Sequence, residues 1–205
     1  MRLPALLLAV LVGTASFAAP ADQTILVFGD SLSAGYGLDA DAGWVHLLDQ
    51  KLQSQDTGYS VVNASVSGET SAGGLSRLPA ALAQYHPRIV LLELGGNDGL
   101  RAQSLTAMRS NLDKMIGLCR AAKAVPVLFE MKIPANYGPS YTGKFTQVYD
   151  DLAHDDKVSL VPFFMATVAT DMDRWFQDDG IHPNAAAQPK LLEAAWPTLE
   201  PLLNQ

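Results

Sequence analysis

The stretch Ile89-Val90-Leu91-Leu92-Glu93-Leu94, which runs directly into Gly95-Gly96-Asn97-Asp98-Gly99, decides the fold. Its first part is an almost unbroken apolar run, and strands of that kind are covered on both faces, as in a parallel sheet. The second part is rich in glycine and predicts a turn that leaves Asn97 at the carboxyl end of the strand. The sequence therefore predicts a buried central strand with polar side chains at its exit.

Four more apolar runs predict the other strands of this sheet, and they cover residues 25–28, 60–63, 125–129 and 158–161. Between the runs, apolar residues at steps of three and four, such as Trp44, Leu48 and Leu52, predict amphipathic helices. No repeat, linker or shift in composition interrupts this alternation. It predicts a single doubly wound α/β domain of three layers with a five-stranded parallel sheet. The active site of such a domain lies at the carboxyl ends of the strands.

The last helix is predicted from about residue 184 to residue 202, although Pro197 and Pro201 interrupt it. Proline favours the first helical position, so Pro183 is expected to begin this helix and His182 to lie at its entrance.

The 205 residues include 14 basic and 21 acidic side chains, which gives a formal net charge of −7. This acidic balance argues against a general nucleic-acid partner or an anionic membrane surface, because both require a basic face. Cys119 is the only cysteine, which excludes a disulfide within the chain. It continues the apolar stripe of a predicted helix, so we expect a buried side chain and not a reactive thiol.

Residues 1–21 have the three-part layout of a secretory signal peptide. Arg2 gives a positive start, an apolar run covers residues 5–12, and mostly small residues follow at 16–21. Cleavage is expected after Ala18 or Ala21, which leaves the domain at residues 22–205. The alternative is a membrane anchor, but the apolar run is shorter than the roughly 20 residues that a span needs. We therefore expect a periplasmic or secreted protein with no stable membrane span.

Three candidate site residues follow the first three predicted strands. Ser31 lies in Gly29-Asp30-Ser31-Leu32, where its hydroxyl and the backbone N–H groups of a helix start are available to a ligand. Gly68 allows the backbone to approach closely, so that its N–H can donate. Asn97 can donate from its side-chain amide. Each fragment by itself also fits an ordinary cap or turn.

Asp179 and His182 form a second candidate pair near the C-terminus. A carboxylate three residues before a histidine can bond one imidazole nitrogen and leave the other free to act as a base. The other three histidines have no such surroundings. A metal site built from Asp178, Asp179 and His182 would need further ligands, and none is suitably spaced, so we expect no metal.

Taken together, these residues resemble the SGNH (GDSL) hydrolase family. The first block of that family is similar to Gly29-Asp30-Ser31-Leu32, the second centres on Gly68, the third is similar to Gly96-Asn97-Asp98, and the fifth spans residues 179–182. The longer stretches 28–37, 93–100, 133–138, 161–165 and 177–184 resemble the subgroup of periplasmic multifunctional thioesterases, lysophospholipases and arylesterases.

The resemblance implies a flavodoxin-like sheet and a serine hydrolase that cleaves fatty-acyl esters and thioesters through an acyl-serine intermediate. It implies Ser31 as nucleophile, His182 as base and Asp179 as the partner of that base. It also implies an oxyanion hole made by the N–H groups of Ser31 and Gly68 and the side chain of Asn97. No metal or organic cofactor is expected, and the substrate is expected to be a small molecule bound by a monomer. The acyl chain is expected near the loop from Pro134 to Tyr141 and the segment after Gly68, and Asp30 is expected to support the Ser31 turn.

Two alternatives stay open at this point. A carbohydrate acetylesterase would use the same catalytic residues on a different acyl ester. A non-catalytic flavodoxin-like binding module would not need Ser31, Asn97 and His182 together.

Overall fold

The computed structural model describes residues 23–204, so the predicted signal segment lies outside the described residues. The strands form one sheet in the order β2-β1-β3-β4-β5, and every neighbouring pair is parallel. The predicted five-stranded parallel sheet is therefore confirmed. The strands are β1 (Gln23–Gly29), β2 (Tyr59–Asn63), β3 (Ile89–Glu93), β4 (Val125–Phe129) and β5 (Ser159–Val161).

Helices cover both faces of the sheet. They are α1 (Ser31–Ala34), α2 (Trp44–Ser54), α3 (Ser71–Tyr85), α4 (Gly96–Leu100), α5 (Leu105–Ala121), α6 (Pro139–Asp155), α7 (Met172–Trp175) and α8 (Gln188–Leu199). Helices α2 and α8 pack together on one face, and α3, α5 and α6 pack in a row on the other. The predicted three-layer α/β architecture is confirmed.

The core is centred on β3, in which every residue from Ile89 to Glu93 is buried. Because helices cover both faces of this strand, its side chains are shielded from water, which explains the apolar run in the sequence. The Cys119 side chain is completely buried in α5, and desolvation raises the pKa of its thiol to about 12. The prediction of a buried, unreactive cysteine agrees with this environment.

The C-terminal helical segment runs from Ala185 to Asn204, close to the predicted range, but the predicted role of Pro183 was wrong. Pro183 does not begin a helix but pairs with Phe176 in an isolated antiparallel bridge. The side chain of Asn184 accepts a hydrogen bond from the N–H of Ala187, so Asn184 caps the 3₁₀ turn Ala185–Ala187 that precedes α8. Helix α8 contains Pro197 and is followed directly by the 3₁₀ segment Glu200–Asn204, so the segment combines α and 3₁₀ turns and is not one uniform α-helix.

The order of the strands fixes where a ligand can bind. From β1 the chain adds β2 on one side and then returns to add β3 on the other side. The loops that leave β1 and β3 therefore diverge to opposite faces and open a crevice at their carboxyl ends, which is where open α/β sheets bind their ligands.

Candidate active site

Ser31 lies at the first position of α1, directly beyond the carboxyl end of β1. Asp30 caps this helix, because its Oδ1 accepts a hydrogen bond of 3.0 Å from the N–H of Leu32. The helix is only one turn long and ends at Gly35, which has a φ of 71° and therefore favours glycine. A short capped turn of this kind holds the Ser31 hydroxyl at the edge of the crevice.

His182 and Asp179 complete a chain of hydrogen bonds to Ser31. His182 Nε2 lies 2.8 Å from Ser31 Oγ, and His182 Nδ1 lies 2.6 Å from Asp179 Oδ2. Asp179 Oδ1 also accepts bonds from the backbone N–H groups of Ile181 and His182, at 2.9 and 3.0 Å. Desolvation opposes ionisation of Asp179, but these hydrogen bonds and the imidazole outweigh it and lower the pKa of Asp179 to about 2. A carboxylate, an imidazole and a hydroxyl are thus aligned as in a serine-hydrolase triad.

Gln177 fastens the His182 segment to the turn that follows α1. Its Nε2 donates to the carbonyl of Tyr36 at 2.8 Å, and its backbone N–H donates to the carbonyl of His182, also at 2.8 Å. Gly37 has a φ of 74°, which favours glycine, and a Cβ there would meet Gln177 Oε1 unless the end of that side chain moved. The ring of Tyr36 lies against the imidazole of His182, with 4.6 Å between their centroids.

Gly68 and Asn97 reach the same crevice from the segments that follow β2 and β3. Gly68 has a φ of 77°, a conformation that L side chains rarely adopt. Arg101 Nη2 donates to the carbonyl of Gly68 at 3.1 Å and to Asn97 Oδ1 at 3.4 Å. Asn97 Nδ2 in turn donates to Asp30 Oδ2 at 3.0 Å. The structure therefore brings together every residue that the sequence analysis nominated for catalysis or for an oxyanion hole.

Two carboxyl groups are buried beneath these residues. Asp30 and Glu93 are 3% and 0% exposed, and their side chains interact. Desolvation raises the pKa of Asp30 to about 6 and raises the pKa of Glu93 well above its usual range. Glu93 was not predicted as part of the site, because it lies within the apolar run of a predicted strand. A single glutamate within an otherwise apolar run was the available signal, since an ionisable group is rarely buried without a partner.

A cavity of about 510 Å³ opens beside Ser31. Its walls are largely apolar, and they include Met131, Ile133, Phe163, Met165, Met172 and Phe176. Of the loop from Pro134 to Tyr141, only Pro134 borders the cavity. The hydroxyl groups of Tyr137 and Tyr141 instead donate to backbone carbonyls at the end of α4 and just after it. Tyr137 donates to the carbonyl of Leu100 at 2.6 Å, and Tyr141 lies 3.4 Å from the carbonyls of Gly99 and Gln103. The wall formed by residues 163–176 was not anticipated, because these apolar residues follow β5 without helical or strand periodicity.

Within residues 23–204, no helix is long and apolar enough to cross a membrane. In the same part of the chain, no three His, Cys, Asp or Glu side chains are grouped as metal ligands.

Comparison with known proteins agrees with the geometry. The profile of the GDSL-like Lipase/Acylhydrolase family matches residues 27–188. The chain belongs to this family. The predicted family is therefore confirmed, and with it the prediction that the chain is an enzyme of the SGNH esterase and thioesterase type.

Similar proteins extend over nearly the whole chain. Esterase TesA of Pseudomonas aeruginosa is 51% identical over 183 residues, which cover 89% of this chain and 90% of that relative. Thioesterase 1/protease 1/lysophospholipase L1 of Escherichia coli K12 is 48% identical over 189 residues, with 92% of this chain and 89% of the relative covered. The crystal structure of TesA superposes with a TM-score of 0.85 over 88% of this chain and 99% of its own. The esterase EstA from Pseudoalteromonas sp., solved with monoethylphosphonate as inhibitor, has 43% identity and a TM-score of 0.85, with 90% of this chain and 100% of its own covered.

Proposed function

We propose that this family member hydrolyses fatty-acyl esters and thioesters, with Ser31 as nucleophile, His182 as base and Asp179 as the partner of the base. The observation that carries the proposal is the chain of two hydrogen bonds, 2.6 and 2.8 Å long, from Asp179 through His182 to Ser31. A hydroxyl is a weak nucleophile unless an adjacent base takes its proton, and this chain supplies the base. The three residues come from one chain, so the proposed mechanism needs no residue from a second copy, and we propose that the enzyme acts as a monomer.

The reaction follows from the positions of these atoms. Ser31 Oγ attacks the carbonyl carbon while its proton passes to His182 Nε2, and Asp179 stabilises the resulting imidazolium. The tetrahedral intermediate collapses when the carbonyl–oxygen or carbonyl–sulfur bond to the leaving group breaks, and the imidazolium returns its proton to that group. Water then attacks the acyl-serine by the same route, with His182 as base, and releases the carboxylic acid.

The negative charge on the intermediate needs hydrogen-bond donors. Ser31, Gly68 and Asn97 border the same cavity, and we assign the backbone N–H groups of Ser31 and Gly68 and the side-chain amide of Asn97 to the oxyanion. Asn97 has two amide hydrogens, of which one is bound to Asp30, so the second is available. Donors that are fixed before the reaction stabilise charge as it develops without reorganisation.

The apolar cavity supports an acyl chain as the substrate group. A volume of about 510 Å³ with mostly apolar walls fits a hydrocarbon chain better than a sugar, which needs polar partners. The names of the relatives, which include esterase, thioesterase, lysophospholipase and arylesterase, support the same class of substrate.

Labelling with a fluorophosphonate tests the nucleophile. Mass spectrometry should find the label on Ser31, and Ser31→Ala should abolish it and lower kcat by about 10³-fold or more while the protein stays folded. Ser67→Ala is the matched control, because Ser67 borders the same cavity and should not be needed for labelling. A label on Ser65 or Ser67 in the wild type would refute the assignment.

A substrate panel tests the acyl group. Acetyl and long-chain p-nitrophenyl esters, a long-chain acyl-CoA and a lysophospholipid should be compared by kcat/KM on one preparation. We expect the long-chain compounds to be the better substrates. A strong preference for acetyl esters would instead support the carbohydrate acetylesterase alternative.

We also propose that the chain is exported and that residues 1–21 are removed. The positive start, the short apolar run and the small residues before the domain support this proposal. N-terminal sequencing of the exported protein should give a start between Ala19 and Asp22. A membrane-bound product that still begins at Met1 would show that the segment is an anchor.

A further inference from the structure

Glu93 is a buried acid that the proposed mechanism does not use. It is the last residue of β3 and is paired in register with Gly29 of β1, so its side chain lies under the turn that presents Ser31. Glu93 Oε2 accepts a hydrogen bond of 2.6 Å from Ser33 Oγ and one of 3.2 Å from the N–H of Asp30. A Cβ at Gly29 would collide with Glu93 Oε2, so the carboxyl group fits only because residue 29 is glycine.

Asp30 connects this buried acid to the proposed oxyanion hole. Its Oδ1 accepts from the N–H of Leu32 at 3.0 Å, and its Oδ2 accepts from Asn97 Nδ2 at 3.0 Å. On the opposite side, Glu93 Oε2 accepts from the backbone N–H of Asp30 at 3.2 Å, and the two buried carboxyl groups interact electrostatically. A continuous set of contacts therefore runs from Glu93 through Asp30 to the amide of Asn97.

We propose that Glu93 is a positioning residue for the oxyanion hole, and that it acts through Asp30 to set the orientation of the Asn97 amide. The inference rests on the proposed function, in which Asn97 donates to the oxyanion. Glu93 itself borders no part of the cavity beside Ser31, so its effect on the reaction must pass through other residues. A small rotation of the Asn97 amide would turn its second N–H away from the reacting oxygen.

The ionisation of the two carboxyl groups suits this role. Burial raises the pKa of both carboxyl groups, to about 6 for Asp30 and well above its usual range for Glu93, so near neutral pH Asp30 is largely a carboxylate and burial favours the neutral form of Glu93. A carboxylate at Asp30 can only accept, which forces the Asn97 amide to present its Nδ2 and not its Oδ1. A neutral Glu93 keeps its Oε2 as the acceptor for Ser33 Oγ and for the backbone N–H of Asp30, whereas its buried Oε1 has no hydrogen-bond partner among the described residues.

This assignment predicts that glutamine can replace Glu93 and that an apolar side chain cannot. Glu93→Gln retains a neutral group of the same shape with one acceptor and two donors, and we expect its kcat to stay within about threefold of the wild type. Glu93→Met retains the volume but removes the hydrogen bonds, and we expect kcat to fall by roughly 10- to 100-fold with KM unchanged.

A double-mutant cycle with Asn97→Ala separates positioning from general damage. If Glu93 acts through Asn97, the change Glu93→Met should cost less than about threefold in kcat once Asn97 is absent. Asp49→Leu is the matched control, because Asp49 Oδ1 accepts from the backbone N–H of Val61 at 2.9 Å and Asp49 borders no part of the cavity beside Ser31. We expect this control to leave kcat unchanged.

Two results would overturn the inference. One is a kcat for Glu93→Met equal to that of the wild type, and the other is a full loss that persists in the Asn97→Ala background. If Glu93→Met does not fold, as judged by circular dichroism, Asp30→Asn replaces it in the same cycle, because an amide at residue 30 also disturbs the acceptor that Asn97 requires. Fluorophosphonate labelling of Ser31 in the wild type is measured in parallel. An absent label would contradict the proposed function, whereas normal labelling with additive effects contradicts only the role of Glu93.

Discussion

Replacement of Asp179 by asparagine is expected to lower kcat by about 10⁴-fold without unfolding the segment. The two side chains have the same shape, and the asparagine Oδ1 can accept the same two backbone bonds, from Ile181 at 2.9 Å and His182 at 3.0 Å. Each such bond contributes about 1 kcal/mol, so keeping both holds the segment in its fold. The low pKa of Asp179 shows that its carboxylate adds some stability, so we expect the variant to unfold somewhat more easily but to stay folded in the assay.

The loss of activity arises at the other atom of the side chain. In the wild type, Asp179 Oδ2 lies 2.6 Å from His182 Nδ1 and can only accept, so Nδ1 carries the proton and Nε2 is free to act as a base. An asparagine Nδ2 at that place is a donor, which favours the tautomer with the proton on Nε2. That nitrogen then donates to Ser31 Oγ and cannot take its proton. A factor of about 10⁴ corresponds to about 5.4 kcal/mol of activation free energy.

The assay compares kcat for one p-nitrophenyl ester from about pH 5 to 9 in the wild type, Asp179→Asn and the control Asp178→Asn. Asp178 is the adjacent acid, and we expect its replacement to leave kcat unchanged. Circular dichroism checks that both variants are folded. If Asp179→Asn retains the wild-type kcat and the wild-type pH profile, Asp179 only caps the turn and the tautomer argument is wrong.

Three further predictions follow from the same contacts. Asn97→Ala should lower kcat by about 10²- to 10³-fold with little change in KM, because the amide donor acts only where negative charge develops in the transition state. Steady-state kinetics checks this. A raised KM with unchanged kcat would mean that Asn97 binds the substrate in its ground state. Folding raises the pKa of Asp30 from 3.8 to about 6, so the folded state binds this proton more tightly than the unfolded chain does. The contribution of Asp30 to the free energy of unfolding is therefore greatest below pH 3.8 and is lost as the pH rises through about 6. In urea unfolding at several pH values, the wild type should lose this contribution with rising pH, and Asp30→Asn should not. Parallel pH dependence of the two proteins would contradict the prediction. Arg101→Met should lower kcat by about tenfold, because Arg101 binds both the carbonyl of Gly68 and the Oδ1 of Asn97. Arg101→Lys should retain part of the activity that Arg101→Met loses. Equal kcat in the wild type and both variants would contradict this prediction.

The fold was largely predictable because its strands are buried on both faces. Unbroken apolar runs such as Ile25 to Phe28 are a local signal, and the alternation with helices then leaves few arrangements of a parallel sheet. The end of the chain was less predictable. Proline at residue 183 is compatible both with a first helical turn and with extended backbone, and only the pairing with Phe176, seven residues earlier, selects the second.

The candidate site was predictable where a motif places its residues at strand ends, as for Ser31 and Asn97. Their assigned roles stay predictions until the variants are measured. Glu93 was not predictable in this way, because its partners Asp30 and Ser33 are 63 and 60 residues away in sequence. The cavity wall from residue 163 to residue 176 was missed for a related reason, since irregular segments show no periodicity that separates a binding wall from an ordinary loop.

The distance along the chain between Ser31 and His182 also affects when the enzyme becomes active. Their side chains are hydrogen-bonded, yet they are 151 residues apart in sequence. Ribosomes therefore make the proposed nucleophile early and the base that activates it only when the chain is almost complete. Until the last segment has folded against the first, Ser31 Oγ lacks its hydrogen bond to His182 Nε2, so under the proposed mechanism an incomplete chain should not hydrolyse esters. We therefore expect hydrolytic activity only from chains that have completed their folding.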